Sequence, residues 1–242
     1  MSIIIANLQD VHARIHAAAG KVSRDAQEIL LLAVSKTFDA AAVLEAAGAG
    51  QRDFGENYLQ EALDKIEEVG RLQNNGHVPG TAVLPLLKWH FIGPIQSNKT
   101  RPLAEHFDWV HSIAREKIAT RLSEQRPEHL APLNVCIQVN ISGEASKSGA
   151  SPADVPALAH AIATLPRLRL RGLMAIPQAA PDFAAQRVPF HALHGLYRSL
   201  QNDGLALDTL SIGMSADLEA AIAEGATIVR VGSAIFGTRN HG

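Results

Sequence analysis

Apolar positions along the chain follow two different periods. Leu8, Val11, Ile15 and Ala18 recur at three- and four-residue spacing, which predicts an amphipathic helix over about the first twenty residues. The next feature is a near-continuous run, Ile29-Leu30-Leu31-Leu32-Ala33-Val34, closed by Ser35-Lys36. A strand covered on both faces reads this way. Thr37-Phe38-Asp39 break the run, and the alanine-rich stretch 40–49 predicts a helix with Asp39 near its start. The same couplet then repeats. Strands are predicted at 53–57, 87–93, 109–113, 134–141, 168–176, 209–214 and 228–236. Helices are predicted at about 58–69, after 98, and at about 115–124, 152–165, 182–202 and 216–224. Residues 70–86 are rich in Gly, Asn and Pro and read as a loop, and Pro189 is a candidate break in the longest helix.

Strict alternation of strand and helix implies parallel strands, and no composition shift divides residues 1–242 into more than one domain. Eight such units fit an α/β architecture, a single (β/α)8 TIM barrel with one extra N-terminal helix. A doubly wound open sheet is the rival. It wants a Gly-rich turn after its first strand, and Lys36-Thr37-Phe38 supplies none.

Charge and cysteine content narrow the setting. A formal net charge of −2 and the lack of a dense basic run argue against a nucleic-acid partner. No apolar stretch approaches the roughly 20 residues of a membrane span. The single cysteine, Cys136, excludes an internal disulfide and suits a reducing compartment, so a cytoplasmic protein is expected.

Chemistry concentrates at the predicted strand ends. Side chains alternate along a strand, so Leu30, Leu32, Val34 and Lys36 share one face and Lys36 closes an apolar row. A lysine there either snorkels to solvent or stands ready to form a Schiff base. In the eighth unit Val229 and Val231 face the helices, which turns Arg230 and Gly232 toward the barrel interior. A buried arginine needs an acceptor, and a structural salt bridge and a ligand contact are both open. Gly232-Ser233 permits close backbone approach, and Ser215 is placed to cap the helix after the seventh strand. Phosphate often binds after the seventh and eighth strands of such barrels. Asp217 would repel it unless its side chain turns away. An amine, a phosphate cradle and an arginine together match the needs of pyridoxal 5′-phosphate.

Other candidates carry less. His12/His16 and His191/His194 sit at helical spacing without a third metal ligand, and read as surface or packing histidines. His90, within the third strand, is either a satisfied core residue or part of a site. Lys147 reads as a solvated lysine, with a second amine for the aldehyde as the alternative.

The chain resembles the pyridoxal phosphate homeostasis proteins, which share the barrel of alanine racemase. The landmarks are Ala33-Val34-Ser35-Lys36, the stretch from Phe54-Gly55-Glu56-Asn57 to Glu61, and the stretch from Trp89-His90-Phe91-Ile92-Gly93-Pro94 to Lys99. Val139-Asn140-Ile141-Ser142-Gly143 through Gly149, Gly172-Leu173-Met174-Ala175-Ile176-Pro177, Met214-Ser215-Ala216-Asp217 and Arg230-Val231-Gly232 complete the set. The resemblance implies a fold type III pyridoxal-phosphate barrel with Lys36 as the Schiff-base lysine. It implies Ser215, Gly232 and Ser233 at the phosphate, Arg230 at the pyridine nitrogen, and Asn57 near the cofactor. It further implies a monomer that holds the cofactor for vitamin B6 homeostasis with little or no turnover, with apo-enzymes as recipients. The chain departs from the family pattern at about 70–86, where its connection is longer.

Two enzyme readings compete with storage. An amino-acid racemase of this fold adds a β-rich domain whose tyrosine serves the opposite face, whereas this sequence runs only through the barrel to Gly242. A lysine-dependent aldolase would want a Lys/Asp/Glu relay beside Lys36, and none is evident.

Overall fold

The computed structural model describes residues 2–74, 86–144 and 148–237. Eight parallel strands close into a barrel in sequence order: β1 (Leu30–Val34), β2 (Asp53–Glu56), β3 (Lys88–Phe91), β4 (Trp109–Ile113), β5 (Leu133–Gln138), β6 (Leu168–Met174), β7 (Thr209–Ser211) and β8 (Ile228–Val231). β8 returns to β1 in the register Leu30↔Ile228 and Leu32↔Arg230. The extra helix α1 (Ile3–Lys21) precedes the barrel, and α2 (Ala40–Gly48) through α8 (Leu218–Ala223) follow the strands as α3 (Leu59–Asn74), α4 (Thr100–His106), α5 (Glu116–Gln125), α6 (Val155–Ala163) and α7 (Phe183–Asn202). Asp39 caps α2 by accepting the Ala42 N–H at 2.9 Å, as its position implied.

The alternation along each strand divides two cores. Leu32, Val34, Ile92, Trp109, Cys136, Met174 and Ile228 fill the barrel, while Leu31, Ala33, Phe54, Phe91, Val229 and Val231 pack outward among the helices. Burial pushes the Cys136 thiol up to about 12, so it acts as a small apolar side chain. The barrel also buries polar groups: His90, His111, Ser211 and Arg230 are all within it.

Several elements differ from the sequence reading. α3 runs on to Asn74, into the stretch read as loop, while residues 75–85 lie outside the described residues. α7 passes through Pro189 unbroken. β8 stops at Val231, and its apolar tail folds into a short helix, α9 (Ser233–Phe236), with Gly232 at the cap position. α8 begins at Leu218 with Asp217, not Ser215, at its cap position. Among the described residues no helix is long and apolar enough to cross a membrane.

Burial holds His90 below the usual histidine value and His111 well below it. The unfolded chain therefore takes up protons near pH 6.5 that the folded chain refuses. The stability tied to both rings is fully present above about pH 6.5 and lost as the pH falls through their depressed folded values. The urea midpoint should drop between about pH 7.5 and 5.5, and His111→Asn should flatten that drop. An equal drop in the variant would remove His111 from this linkage.

Candidate functional site

Lys36 lies two residues beyond β1 in a turn, half-buried, continuing the interior row of Leu32 and Val34. Its amine makes no hydrogen bond among the described residues. The backbone around it is held on three sides. The Ser35 hydroxyl donates to Glu56 Oε1 at 2.6 Å, and the Ser35 carbonyl accepts from Lys65 Nζ at 2.7 Å. The Thr37 N–H donates to Glu61. Lys65 closes the cluster through Glu56 Oε1 at 2.7 Å and Glu61 Oε1 at 3.1 Å. Thr37 itself sits at φ 69°, an unfavourable region for a β-branched residue, which these contacts enforce. Burial pushes the Glu56 carboxyl up, and Lys65 and the Ser35 hydroxyl pull against it. The turn carrying Lys36 is thus fixed by a buried ion cluster.

This clamp was not singled out from sequence, yet a signal existed. Phe54 and Glu56 share the strand face that points to the helices, so Glu56 puts a carboxylate into an apolar layer. On α3 the buried stripe is Ala62, Lys65 and Val69, with Glu61 one turn before Lys65. A buried carboxylate and a lysine in the apolar stripe of the next helix belong together.

Arg230 points into the barrel from β8, as the alternation required. It finds no carboxylate among the described residues. One terminal nitrogen donates to the Ser211 carbonyl and, at 2.8 Å, to Ser211 Oγ, and the other donates to the Ala175 carbonyl at 2.9 Å. These contacts use three of the five N–H donors of a guanidinium. Burial pushes its pKa down to about 10, so it remains a cation at neutral pH.

Asn57 follows β2, and its Oδ1 is buried with no hydrogen-bond partner among the described residues. Gly93 is needed opposite it: a Cβ there would lie 2.0 Å from the Asn57 carbonyl oxygen. Ser215 lies in the turn after β7 and does not cap α8. Asp217 takes the cap position and turns its carboxylate back to accept the Met214 N–H at 2.6 Å, which answers the repulsion raised by its sequence position. The Ser215 hydroxyl has no partner among the described residues, whereas its carbonyl accepts from Arg14 at 3.0 Å. Asn7 likewise donates to the Ile235 carbonyl at 2.8 Å, so α1 fixes the segments after both β7 and β8. Gly232 abuts β1, since a Cβ on it would meet the Val34 carbonyl oxygen at 3.2 Å. Ser233 opens α9, whose first N–H groups have no acceptor within the helix.

The structure therefore gathers Lys36, Asn57, Ser215, Arg230, Gly232 and Ser233 at the carboxyl ends of four consecutive strands, β7-β8-β1-β2. A cleft of about 330 Å³ lined by Tyr58, Phe91, Pro94 and Lys99 includes Asn57 but none of the other five. Convergent chemistry, not the size of that hollow, marks the site. Among the described residues no group of three or more His, Cys, Asp or Glu side chains is disposed to hold a metal ion. His191 bonds Glu224 at 2.9 Å. Lys147 lies outside the described residues.

A parallel barrel with an amine after β1 and an arginine inside β8 is of the alanine racemase type, and the model of the alanine racemase N-terminal domain matches residues 6–240. A protein of Pseudomonas aeruginosa named pyridoxal phosphate homeostasis protein is 61% identical over 242 residues, covering 100% of this chain and 98% of its own length. Its namesake in Escherichia coli K12 is 52% identical over 241 residues, at 100% and 99% coverage. The solved structure of PipY from Synechococcus elongatus with pyridoxal phosphate bound superposes with a TM-score of 0.76 at 36% identity, over 92% of this chain and 100% of that one. Alanine racemase from Corynebacterium glutamicum shares the fold, with a TM-score of 0.64 at 18% identity, over 98% of this chain and 61% of that one. The chain belongs to the pyridoxal phosphate homeostasis protein family.

Replacing one member of a buried ion cluster strands the rest. Lys65→Met should cost about 3–5 kcal/mol in urea unfolding, and adding Glu56→Gln should recover part of it. A cost below about 1 kcal/mol would show that the cluster does not hold the Lys36 turn.

Proposed function

We propose that this chain binds pyridoxal 5′-phosphate at the carboxyl ends of β7, β8, β1 and β2 and keeps it in reserve for vitamin B6 homeostasis, with little or no turnover. The observation that carries this reading is the pairing of Lys36, on a clamped turn and with an amine unpartnered among the described residues, with Arg230, a buried cation that meets no carboxylate among them. In this reading Lys36 bonds the cofactor aldehyde as a Schiff base. Ser215, Gly232 and Ser233 receive the phosphate, Arg230 donates to the ring nitrogen, and Asn57 stands near the ring. The groups without a partner among the described residues suit this ligand: the Oδ1 of Asn57, the Ser215 hydroxyl and the two remaining guanidinium N–H groups.

Bound there, the cofactor supplies an electrophilic aldehyde and an electron-withdrawing ring. Its power to stabilise a carbanion is greatest when a carboxylate keeps the ring nitrogen protonated. Arg230 only donates hydrogen bonds and stays charged, so it favours the unprotonated nitrogen. This supports storage over racemisation. The same reading makes 1–242 one cytoplasmic domain, a monomer that passes the cofactor to apo-enzymes.

Borohydride reduction of protein loaded with pyridoxal phosphate, followed by digestion and mass spectrometry, should place the phosphopyridoxyl group on Lys36. An adduct mainly on Lys65, Lys99 or Lys147 would overturn the assignment.

A further inference from the structure

Arg230 is the near end of a longer chain of contacts. Ser211 Oγ, which accepts from Arg230 at 2.8 Å, lies 2.8 Å from His111 Nδ1. His111 Nε2 lies 3.0 Å from His90 Nδ1, and His90 Nε2 lies 3.0 Å from Asp53 Oδ1. The chain leaves β8, passes through β7, crosses the barrel to β4, and continues through β3 to the first residue of β2. Trp109 stacks on His90 at 5.3 Å with an interplanar angle of 7°, which fixes the plane of that ring. Asp53, His90, His111 and Ser211 are all buried.

The protons in this chain can be placed by elimination. Burial keeps both imidazoles neutral at neutral pH, so each has one N–H and one acceptor nitrogen. An ionised Asp53 only accepts, so His90 must carry its proton on Nε2 and present Nδ1 as an acceptor. His111 must then donate from Nε2 and accept at Nδ1, and the acceptor at Nδ1 takes the Ser211 hydroxyl proton. Ser211 is left with a lone pair, which Arg230 meets with an N–H. The opposite polarity fails, because it sets a bare His90 Nε2 against a carboxylate. Every link therefore runs one way, from Arg230 through Ser211, His111 and His90 to Asp53.

We propose that Ser211, His111, His90 and Asp53 are positioning residues that aim Arg230 at the cofactor ring nitrogen and link its guanidinium, through aligned hydrogen bonds, to a carboxylate it does not touch. The proposal rests on the reading of Arg230 as the ring-nitrogen partner. A chain of hydrogen bonds in a low-dielectric interior polarises along its length, so a distant Asp53 supports the cation without neutralising it locally. A carboxylate in direct contact would tie up the N–H groups meant for the ring.

Two measurements separate this from a merely structural polar core. In the cofactor-free protein with 15N-labelled histidine, NMR at about pH 7.5 should find both His90 and His111 protonated on Nε2 alone. A proton on Nδ1 of either ring overturns the relay, and this result does not depend on the cofactor. Protein loaded with pyridoxal phosphate labelled with 15N in its ring is then compared between wild type and Ser211→Ala. The ring-nitrogen resonance should move in the variant, and the dissociation constant should rise about tenfold. A Ser211→Thr variant, which keeps the hydroxyl, should restore both. A variant that binds with an unmoved resonance refutes the relay while leaving the binding function intact. Failure of the wild type to bind the probe refutes the function on which the relay rests, whatever the tautomers.

Discussion

A guanidinium inside a packed barrel, held by two carbonyls and a hydroxyl and, among the described residues, by no carboxylate, is the constraint that organises this molecule. Taking such a charge out of water costs several kcal/mol. Hydrogen bonds to a charged group return about 1.5–3 kcal/mol each, so Arg230 is tolerable only where three acceptors converge. The acceptors come from Ala175, just beyond β6, and from Ser211 at the end of β7, so Arg230 ties three neighbouring strands at their carboxyl ends. Its two remaining N–H groups have no acceptor among the described residues and are the ones proposed to meet a ligand nitrogen. In the proposed function the same electrostatics would set the chemical temper of the site, because a cation that only donates does not keep a pyridine protonated.

The opposite wall of the mouth solves a different problem. The proposed role of Lys36 requires an amine that is not drawn into an ion pair of its own. The cluster of Glu56, Lys65 and Glu61 directs its charges to the Ser35 hydroxyl, to the backbone of Ser35 and Thr37 and to one another, which fixes the turn and leaves the Lys36 side chain unengaged among the described residues. Nearby, α1 holds the segments after β7 and β8 through Arg14 and Asn7. The extra helix thereby acts on the part of the rim proposed to receive phosphate.

Much of this was legible in the residues themselves. Parallel strands covered on both faces leave near-continuous apolar runs, so the eight units and the inward rows of Lys36 and Arg230 could be read from alternation alone. The end of β8 could not. The run Ile228–Phe236 stays apolar past Gly232, and only packing of Ile235 and Phe236 into the outer core decides that it coils into α9. Ser215 read as the cap of the helix after β7, yet Asp217 holds that position, with its carboxylate turned back to the Met214 N–H. The link from His111 to Ser211 joins positions 100 residues apart across the barrel, and no local spacing encodes it. Glu56 and Lys65 were readable in principle as charged residues on apolar faces, but only once their strand and helix were assigned together.

The proposed function requires a site that holds pyridoxal phosphate firmly and activates it weakly. The most direct test is to incubate the loaded protein with L-alanine and other L-amino acids and follow the D-enantiomer by chiral chromatography. Formation far below one turnover per second is the predicted result. Turnover within the common enzyme range of about 1–1000 per second would contradict it and make the protein a racemase.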